Sequence, residues 1–261
     1  MKRSIFCTLA FGLSLVCGCG KSAHEALDKG VSASWTGEHD KAIADFTEVI
    51  RLGPKRADAY YGRAYAYGQK GDFDKALADY TEAIRLDPKR AAAYLNRGIA
   101  YRHKGERDKA IADFAEAIRL DPKNAVAYCT RGNAYRHKGE LDKAVADCTQ
   151  AIRIDPRYAK AYDIRGSAFR HKGEFDKALA DYTEAIRINP KLAVAYCGRG
   201  NAYQEQGAHD KALADYNEAI RLDGKLARAY YHRGNVYQEK GEKAQAEADF
   251  ARAKELGYKR K

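Results

Sequence analysis

The chain has 261 residues, enough for one or two globular domains, and a formal net charge of +11 at pH 7. Its six cysteines include no CxxC pair and no spacing typical of zinc ligands, which argues against a disulfide framework and a zinc site. The basic charge fits an acidic peptide, an anionic lipid or an anionic polymer as partner, and it equally fits a solvated lysine-rich surface.

Residues 1–22 have the features of a secretory leader followed by a lipid-attachment site. Lys2 and Arg3 form a basic start, and residues 4–16 form an apolar segment that is too short to span a bilayer. Residues 16–19 resemble the lipobox of bacterial lipoproteins, in which a cysteine becomes the lipidated first residue of the mature chain. The resemblance implies a signal peptide over 1–18, and a lipidated Cys19 with a short tether over 19–22.

The same resemblance implies that the protein is anchored through Cys19 in a membrane of the bacterial envelope and faces the periplasm. Because Gly20, rather than an aspartate, follows Cys19, the outer membrane is favoured over the inner membrane. Cleavage after Gly20, which would release a secreted soluble protein, is the alternative.

The rest of the chain repeats every 34 residues. All five prolines lie at this interval, at Pro54, Pro88, Pro122, Pro156 and Pro190. A fixed period of this length predicts a repeat array, in which each unit packs on its neighbours. We place seven tandem repeats over 23–260, at 23–56, 57–90, 91–124, 125–158, 159–192, 193–226 and 227–260.

Each repeat is predicted to contain two helices separated by a glycine. In the third repeat the first helix covers about 91–104, Gly105 forms the turn, and the second helix covers about 108–120. Glycine suits a helix end that turns with positive φ, and Pro122 pushes the residue before it out of the α region. The sequence therefore predicts an all-α array of helix hairpins.

Small residues at two fixed places predict close contact between the helices of a repeat. The eighth residue is glycine in six repeats, such as Gly132, and the twentieth is alanine in every repeat, such as Ala144. Rings at the fourth, eleventh and twenty-fourth places, such as Tyr94, Tyr101 and Phe114, share one stripe of each helix. We expect this stripe in the core.

A helix hairpin of this length with these ring, small-residue and proline positions resembles the tetratricopeptide repeat, and the resemblance covers 23–260. The first repeat has Ala26 and Ala33 where rings are expected, and we interpret it as an N-terminal cap. Glu247 and Lys254 give the seventh repeat the polar outer face of a terminal unit. The resemblance implies an α-solenoid of antiparallel helix pairs in a right-handed superhelix, whose first helices line a concave groove that binds proteins or peptides.

A charged pair recurs where members of this family often have an apolar residue. The seventh residue is arginine in six repeats, and the twenty-third residue is aspartate in all seven. Arg131 and Asp147 are this pair in the fourth repeat. One cation and one carboxylate on facing stripes predict an ion pair that joins the two helices of each repeat.

At 100° per residue, the second, fifth, ninth, twelfth and thirteenth residues of the first helix point away from the predicted core, towards the groove. Along the helix, apolar side chains come first, amide side chains follow, and arginines come last. Amides can form hydrogen bonds with a peptide backbone, and arginines can form paired hydrogen bonds with carboxylates or phosphates. The alternative is that the arginines are solvated cations favoured by the helix C-terminus. The candidate groove residues are Tyr61, Tyr65, Leu95, Ile99, Arg102, Cys129, Asn133, Arg136, Arg170, Asn201, Tyr231 and Asn235.

These features favour a non-catalytic interaction scaffold that binds an extended segment of a partner protein or peptide. The alternative is a binder of an anionic polymer, such as a glycan, lipid head groups or nucleic acid, through the basic surface. Nucleic acid is disfavoured because the chain lacks an interleaved aromatic and basic stacking platform. No cofactor is predicted, and a metal site of His103, His137 and His171 is disfavoured because adjacent helices hold the rings too far apart.

Overall fold

The computed structural model describes residues 19–259, and within that range the chain forms fourteen α-helices and no strand. The predicted all-α class is confirmed. In chain order the helices are α1 (Cys19–Thr36), α2 (His39–Leu52), α3 (Ala57–Gln69), α4 (Phe73–Leu86), α5 (Ala91–His103), α6 (Arg107–Leu120), α7 (Ala125–Lys138), α8 (Leu141–Ile154), α9 (Ala159–His171), α10 (Phe175–Ile188), α11 (Ala193–Glu205), α12 (His209–Leu222), α13 (Ala227–Glu239) and α14 (Lys243–Glu255).

The signal peptide predicted over 1–18 lies outside the described residues. Residues 19–22 were expected to be a tether, but they are helical, because α1 spans Cys19–Thr36. No proline interrupts these residues, so their backbone can continue the helix of the first repeat. Over residues 19–259, no helix has both the length and the apolar character that crossing a bilayer requires.

The two helices of a repeat pack together as a hairpin, as the sequence predicts. α1 packs on α2 and α3 on α4, and the same holds for α7 with α8, α9 with α10, α11 with α12, and α13 with α14. The glycine between the helices has a φ of +80° at Gly105 and +81° at Gly139. Residues with a Cβ rarely adopt this conformation, so the recurrent glycine is explained by the turn.

The described chain divides into two compact units, with the boundary after Ala100. In the N-terminal unit, Phe46 and the buried alanines around it form one apolar cluster, and Tyr80 with Ala64 and Ala76 forms a second. In the C-terminal unit the clusters are centred on the twenty-fourth residues of the repeats, which are Cys148, Tyr182 and Tyr216. Each cluster lies between neighbouring helices, so the core of each unit is distributed along the array.

Close approach of the two helices explains the glycine at the eighth place. A Cβ on Gly132 would lie 2.9 Å from the Sγ atom of Cys148 and 3.2 Å from the carbonyl oxygen of Ala144. Real Cβ atoms do not approach other atoms to 2.9 Å, so only glycine fits without movement of α7 from α8. The predicted contact between the eighth and twentieth places is therefore confirmed in this repeat.

The predicted ion pairs join the two helices of their repeats. Arg131 on α7 donates two hydrogen bonds to Asp147 on α8, and the equivalent pairs are Arg63–Asp79, Arg165–Asp181, Arg199–Asp215 and Arg233–Asp249. In the first repeat the cation is Lys29, which pairs with Glu25 on its own helix at 2.8 Å. The first repeat therefore departs from the pattern in its ion pair as well as in its missing rings.

Candidate partner-binding site

In the C-terminal unit, the first helices of successive repeats lie closer together than the second helices. α7 contacts α9, α9 contacts α11, and α11 contacts α13. Over residues 101–259, the second helices α8, α10, α12 and α14 make no equivalent contacts with one another. The first helices therefore form the inner layer of this unit. We use "first-helix face" for the surface of the C-terminal unit that carries the ninth, twelfth and thirteenth residues of α7, α9, α11 and α13, together with Arg102 and His103 at the end of α5.

The predicted arginine row differs in environment from one repeat to the next. Arg102, Arg136 and Arg170 are all half-buried. Arg170 forms an ion pair with Glu205 of the following repeat, and its side chain is only 17% exposed. Within residues 19–259, neither Arg102 nor Arg136 has a carboxylate at ion-pair distance. Neither guanidinium is therefore in contact with a carboxylate, although the charge of Asp163 acts on Arg136 from a greater distance.

Neutral oxygens hold Arg136 in place. Its Nε and Nη2 atoms donate to the Oδ1 atom of Asn133 at 3.3 and 2.9 Å, and Nη1 donates to the Oγ atom of Ser167 at 3.4 Å. His137 lies beside it, with Nε2 at 2.8 Å from Nη2. Burial lowers the pKa of Arg136 and of Arg102, because both charged groups are partly removed from water.

The predicted asparagine row therefore has a different role in at least one repeat. The Oδ1 atom of Asn133 accepts a hydrogen bond from the Arg136 guanidinium. This amide oxygen therefore orients an arginine, whereas the sequence predicted that it would bond the backbone of a ligand. The Oδ1 atom of Asn201 accepts a hydrogen bond from the hydroxyl of Tyr216 at 2.7 Å. Asn235 is half-buried and lines a cleft on the same face.

The prediction of Cys129 as a groove residue is wrong. Its side chain is 1% exposed and packs with Cys148 and Ile164 in the core between repeats. The physical reason is its register, since Cys129 lies three residues before Gly132 and therefore on the helix face that meets the second helix. Burial raises the pKa of the Cys129 thiol to about 11.

Two other predicted groove residues share this fifth place and are also engaged in packing. The ring of Tyr61 lies 5.8 Å from that of Tyr80, and its hydroxyl accepts a hydrogen bond from Asn96 at 2.8 Å. The ring of Tyr231 stacks on that of Tyr258 with the centroids 4.4 Å apart, and its centroid lies 5.7 Å from that of Phe250. Their rings therefore contribute to packing within their units, and less ring surface faces solvent than predicted.

The remaining predicted residues of the N-terminal unit are Tyr65, Leu95 and Ile99. All three are half-buried, so each retains some accessible surface. They belong to α3 and α5, which are first helices of their repeats.

Asp163, whose charge acts on Arg136 of the first-helix face, is a residue that the sequence prediction missed. It occupies the fifth place of its repeat, where the other repeats of the C-terminal unit have cysteine or tyrosine. Burial raises its pKa to about 6, although the nearby charges of Arg228, Arg136 and Lys160 act in the opposite direction. One feature of the sequence could have identified it. Among repeats 2 to 7, this is the one repeat that has a carboxylate at the fifth place, where the others have an apolar residue.

His232 is a second residue that was missed. Burial, together with the charges of Arg170 and Arg228, lowers its pKa to about 4, so its imidazole is neutral at pH 7. Its ring stacks on Tyr216 with the centroids 6.2 Å apart. The sixth place was not assigned to the groove, but it lies three residues before the ninth and therefore shares its helix face.

A cleft of about 300 Å³ opens between α11 and α13 on the first-helix face. Its lining is polar, and it consists of Asn201, Gln204, Glu205, His232, Asn235 and Glu239. A second cleft, of about 500 Å³, is lined by residues from the links between repeats, such as Tyr158 and Leu192. The described residues include no cluster of three or more histidine, cysteine or acidic side chains arranged to hold a metal ion.

The sequence matches family models of one repeat along most of its length. Models described as the tetratricopeptide repeat match residues 27–72, 63–125, 125–158 and 227–256, and a model described as the TPR repeat matches 166–207 and 200–241. The chain belongs to the tetratricopeptide-repeat family. The predicted fold class, an α-solenoid of helix pairs, is thereby confirmed, and members of this family are typically non-catalytic scaffolds that bind proteins or peptides.

Solved structures of similar fold include a tetratricopeptide repeat protein from Parabacteroides merdae, with a TM-score of 0.78, 22% identity, and coverage of 92% of this chain and 95% of that one. MamA is 31% identical with a TM-score of 0.55, over 63% of this chain and 96% of its own. YrrB, described as a TPR protein with an unusual peptide-binding site, is 23% identical with a TM-score of 0.58, over 75% of this chain and 97% of its own. No curated protein matches the sequence.

Proposed function

We propose that this tetratricopeptide-repeat protein is a scaffold that binds an extended acidic segment of a partner protein on the first-helix face. The observation that carries the proposal is the pair of half-buried arginines, Arg102 and Arg136, that lack a carboxylate in contact. On α7, by contrast, the half-buried arginine of the seventh place, Arg131, has its own aspartate, Asp147. The contrast favours a carboxylate supplied from outside the chain.

The energetics also favour an acidic ligand. A guanidinium that is partly desolvated has already lost hydration, so a carboxylate that reaches it recovers more interaction energy than at an exposed site. The planar fork of arginine matches a carboxylate through two hydrogen bonds. Asn133 and Ser167 hold Arg136 in one position, which lowers the entropy cost of binding. Within the N-terminal unit, considered by itself, the half-buried apolar residues Tyr65, Leu95 and Ile99 are proposed for partner contact as well, because they keep accessible apolar surface.

We further propose that the scaffold is anchored in the bacterial envelope through a lipid on Cys19 and faces the periplasm. The support is the basic start at Lys2 and Arg3, the short apolar segment over 4–16, and the lipobox-like sequence that ends at Cys19. Gly20 favours the outer membrane. A secreted form, cleaved after Gly20, is the alternative to this location.

The net charge of +11 supports a second candidate, in which the basic surface binds an anionic polymer. Salt distinguishes the two functions. Binding of a polyanion by many lysines and arginines falls steeply with salt, because neutralised charges release counterions. Binding at two half-buried arginines involves fewer charges, and its salt dependence should be shallower.

The test compares two triple variants that remove equal charge from different faces. Arg102→Ala, Arg136→Ala and Arg170→Ala change the first-helix face, whereas Lys109→Ala, Lys143→Ala and Lys177→Ala change the second helices. Each of these lysines has a side chain 63 or 64% exposed and pairs with the glutamate that immediately precedes its helix. The probe is a fluorescent peptide of alternating glutamate and alanine, measured by fluorescence anisotropy at 50 and 200 mM salt.

We expect the arginine variant to lose about 2–5 kcal/mol of binding free energy and the lysine variant to bind as the wild type does. Circular dichroism should show unchanged helicity in both. Equal losses in the two variants, with steep salt dependence, would favour the polymer-binding function. A loss confined to the lysine variant would place the binding face on the opposite side.

A further inference from the structure

We propose that Arg228 on α13 completes the anion-binding site of the first-helix face, and that an anion held between Arg136 and Arg228 makes the carboxylate of Asp163 take up a proton. The inference rests on the proposed function, because it adds a binding residue and a regulation to the same site. All three residues belong to the C-terminal unit. Affinity for the acidic segment should therefore rise as the pH falls.

The position of Asp163 on α9 places it next to the residue that Arg136 contacts. At the same place of the two neighbouring first helices, Cys129 and Cys197 are each 1% exposed. Asp163 is half-buried, so it keeps accessible surface that these thiols lack. Ser167 follows one turn later on the same helix face, and its hydroxyl accepts a hydrogen bond from Arg136 at 3.4 Å. Asp163 therefore lies close to the site proposed for the ligand.

Arg228 reaches the same place from the opposite side. Its charge acts on Asp163, on Arg136 and on the thiol of Cys197. Cys197 belongs to α11, which contacts both α9 and α13, so the exposed side chain of Arg228 extends from α13 towards α9. Over residues 19–259, neither Asp163 nor Arg228 forms an ion pair. Two arginines on different helices thus lie near one carboxylate without contacting it, which leaves room for a ligand.

The other charged groups of α9 and of the helices packed on it are already paired. Arg165 pairs with Asp181 of α10, and Arg170 pairs with Glu205 of α11. On α8, Asp147 pairs with Arg131 of α7. The groups that do act on Asp163, or on which its charge acts, are Arg136 and Cys129 of α7, Tyr182 of α10, Cys197 of α11, Arg228 of α13 and Lys160 of α9.

Of these groups, Asp163 is the one that changes its charge between pH 5 and pH 7.5. Burial raises the pKa of the Cys129 and Cys197 thiols to about 11 and that of Tyr182 to about 12, so all three are neutral. Burial raises the pKa of Asp163 to about 6, and the nearby cations oppose this rise. At neutral pH the carboxylate therefore offsets part of the positive charge that attracts an anion, and below pH 6 it does so less.

A bound anion changes the proton balance of Asp163. The anion adds a negative charge beside the carboxylate and engages the two arginines that favour its ionised form, so the protonated form gains. The complex then binds more protons than the free protein, and affinity rises as pH falls through the pKa of Asp163. The chemical change is the addition of one proton to one carboxylate oxygen, and the resulting O–H group can donate a hydrogen bond to the ligand.

The experiment needs a ligand whose own charge does not change with pH. We therefore use an acetylated, amidated and fluorescent peptide that alternates cysteic acid with alanine, because a sulfonate stays ionised where glutamate begins to protonate. Affinity is measured by fluorescence anisotropy at constant ionic strength. We expect the wild-type protein to bind about five- to fifteenfold more tightly at about pH 5 than at about pH 7.5.

Two pairs of variants assign the effect to residues. Asp163→Asn should bind with nearly the same affinity at both pH values, whereas Asp176→Asn, which removes a carboxylate from an exposed position on α10, should keep the wild-type dependence. Arg228→Gln should weaken binding about fivefold or more at both pH values, because it removes one of the two cations that hold the anion. Arg221→Gln, whose side chain is 68% exposed on α12, should bind as the wild type does.

Calorimetry detects the proton in the wild-type protein itself. Titration with the peptide near pH 6.5, in buffers of different ionisation enthalpy, should show an uptake of about half a proton for each peptide bound. His137 is the competing source of a proton, because its Nε2 atom lies 2.8 Å from Nη2 of Arg136. His137→Asn should therefore keep the uptake, and Asp163→Asn should lose it.

The outcomes separate this inference from the function on which it rests. If neither the glutamate peptide nor the cysteic acid peptide binds the wild-type protein, the proposed function fails. If the peptides bind without proton uptake, or if the uptake persists in Asp163→Asn, the coupling is overturned and the proposed function stands. If Arg228→Gln binds as tightly as Arg221→Gln, the assignment of Arg228 to the site is overturned.

Discussion

Arg131 on α7 and Asp147 on α8 form a two-point ion pair, in which Nε donates to Oδ2 at 2.7 Å and Nη2 donates to Oδ1 at 2.8 Å. The Arg131 side chain is 19% exposed and the Asp147 side chain is 9% exposed. The guanidinium also lies over the rings of Tyr128 and Tyr135. A charged group at a place that is often apolar in this family is thus compensated by one carboxylate and two aromatic faces.

Removal of the two members of this pair should have unequal effects. Asp147→Ala leaves a partly buried guanidinium without its carboxylate, so we expect the free energy of unfolding to fall by about 1–3 kcal/mol. Arg131→Leu should cost less, because the apolar side chain fills the space, although it also leaves Asp147 without its cation. Urea denaturation followed by circular dichroism measures both. Equal and negligible effects would mean that the pair is too well solvated to contribute.

The fourth repeat lacks one hydrogen bond that other repeats have. The Nη1 atom of Arg165 donates to the hydroxyl of Thr149 in the preceding repeat at 3.0 Å, and Arg199 donates likewise to Thr183 at 3.2 Å. For Arg131 the equivalent residue is Ala115. Ala115→Thr should therefore supply a new acceptor that ties α6 to α7.

We expect this bond to appear as a coupling energy of about 0.5–1.5 kcal/mol in a double-mutant cycle of Ala115→Thr with Arg131→Leu, measured by urea denaturation. The cycle cancels the stability that is lost to the lower helix propensity of threonine, a loss that would otherwise mask the stability gained from the hydrogen bond. Ala115→Val is the matched control, because valine has the shape of threonine without its hydroxyl. Equal coupling for threonine and valine would contradict the prediction.

Asp163 should make stability depend on pH between about 4 and 6. Burial raises the pKa of this carboxyl to about 6 in the folded chain, above its usual value of 3.8. Between these values the folded state binds more protons than the unfolded state, so stability falls as pH rises. Asp163→Asn removes this effect, and it should stabilise the protein by about 1–2 kcal/mol at pH 7.5 while changing little at pH 3.5.

Urea denaturation of wild type and variant across this pH range tests the prediction. Asp176→Asn, at an exposed position on α10, is the control and should leave the profile unchanged. A difference between wild type and Asp163→Asn that is the same at every pH would show that the charge of Asp163 is not the cause.

The lipid anchor is tested by metabolic labelling with a fatty acid and by cell fractionation. We expect the wild-type protein to incorporate label and to partition with the membranes, and we expect Cys19→Ser to lose both properties. Cys17→Ser is the matched control, because it changes a cysteine two residues earlier and should retain the label. Absence of label in the wild type would refute lipidation and favour the secreted form.

The period of the prolines and glycines was sufficient to predict the helix pairs, their turns and the glycine–alanine contacts. These features are determined by local backbone chemistry, which a sequence displays directly. Gly105 must turn with positive φ, and Gly132 must let Cys148 approach. The Arg131–Asp147 pair was also predictable, since two complementary charges recurred at fixed places on facing helices.

The alanines at the third and tenth places were not predicted as core residues, yet Ala127 is fully buried and Ala134 is 1% exposed. Alanine is compatible with either the surface or the core, so a hydrophobic stripe read from large side chains overlooks it. Cys129 failed for a related reason. Its place on the helix is close to the boundary between the core and the groove, and a difference of some tens of degrees decides on which side a side chain lies.

The sequence alone thus determined the repeat, the helices and the ion pairs that hold each hairpin together, because each of these depends on residues at fixed separations along the chain. Only the tertiary structure decided which arginines of the row lack a carboxylate. Arg170 meets Glu205 across a repeat boundary, whereas Arg136 meets Asn133 and Ser167. Three side chains with the same place in the repeat differ because the next helix presents each with a different neighbour, and those neighbours become adjacent only when the repeats stack.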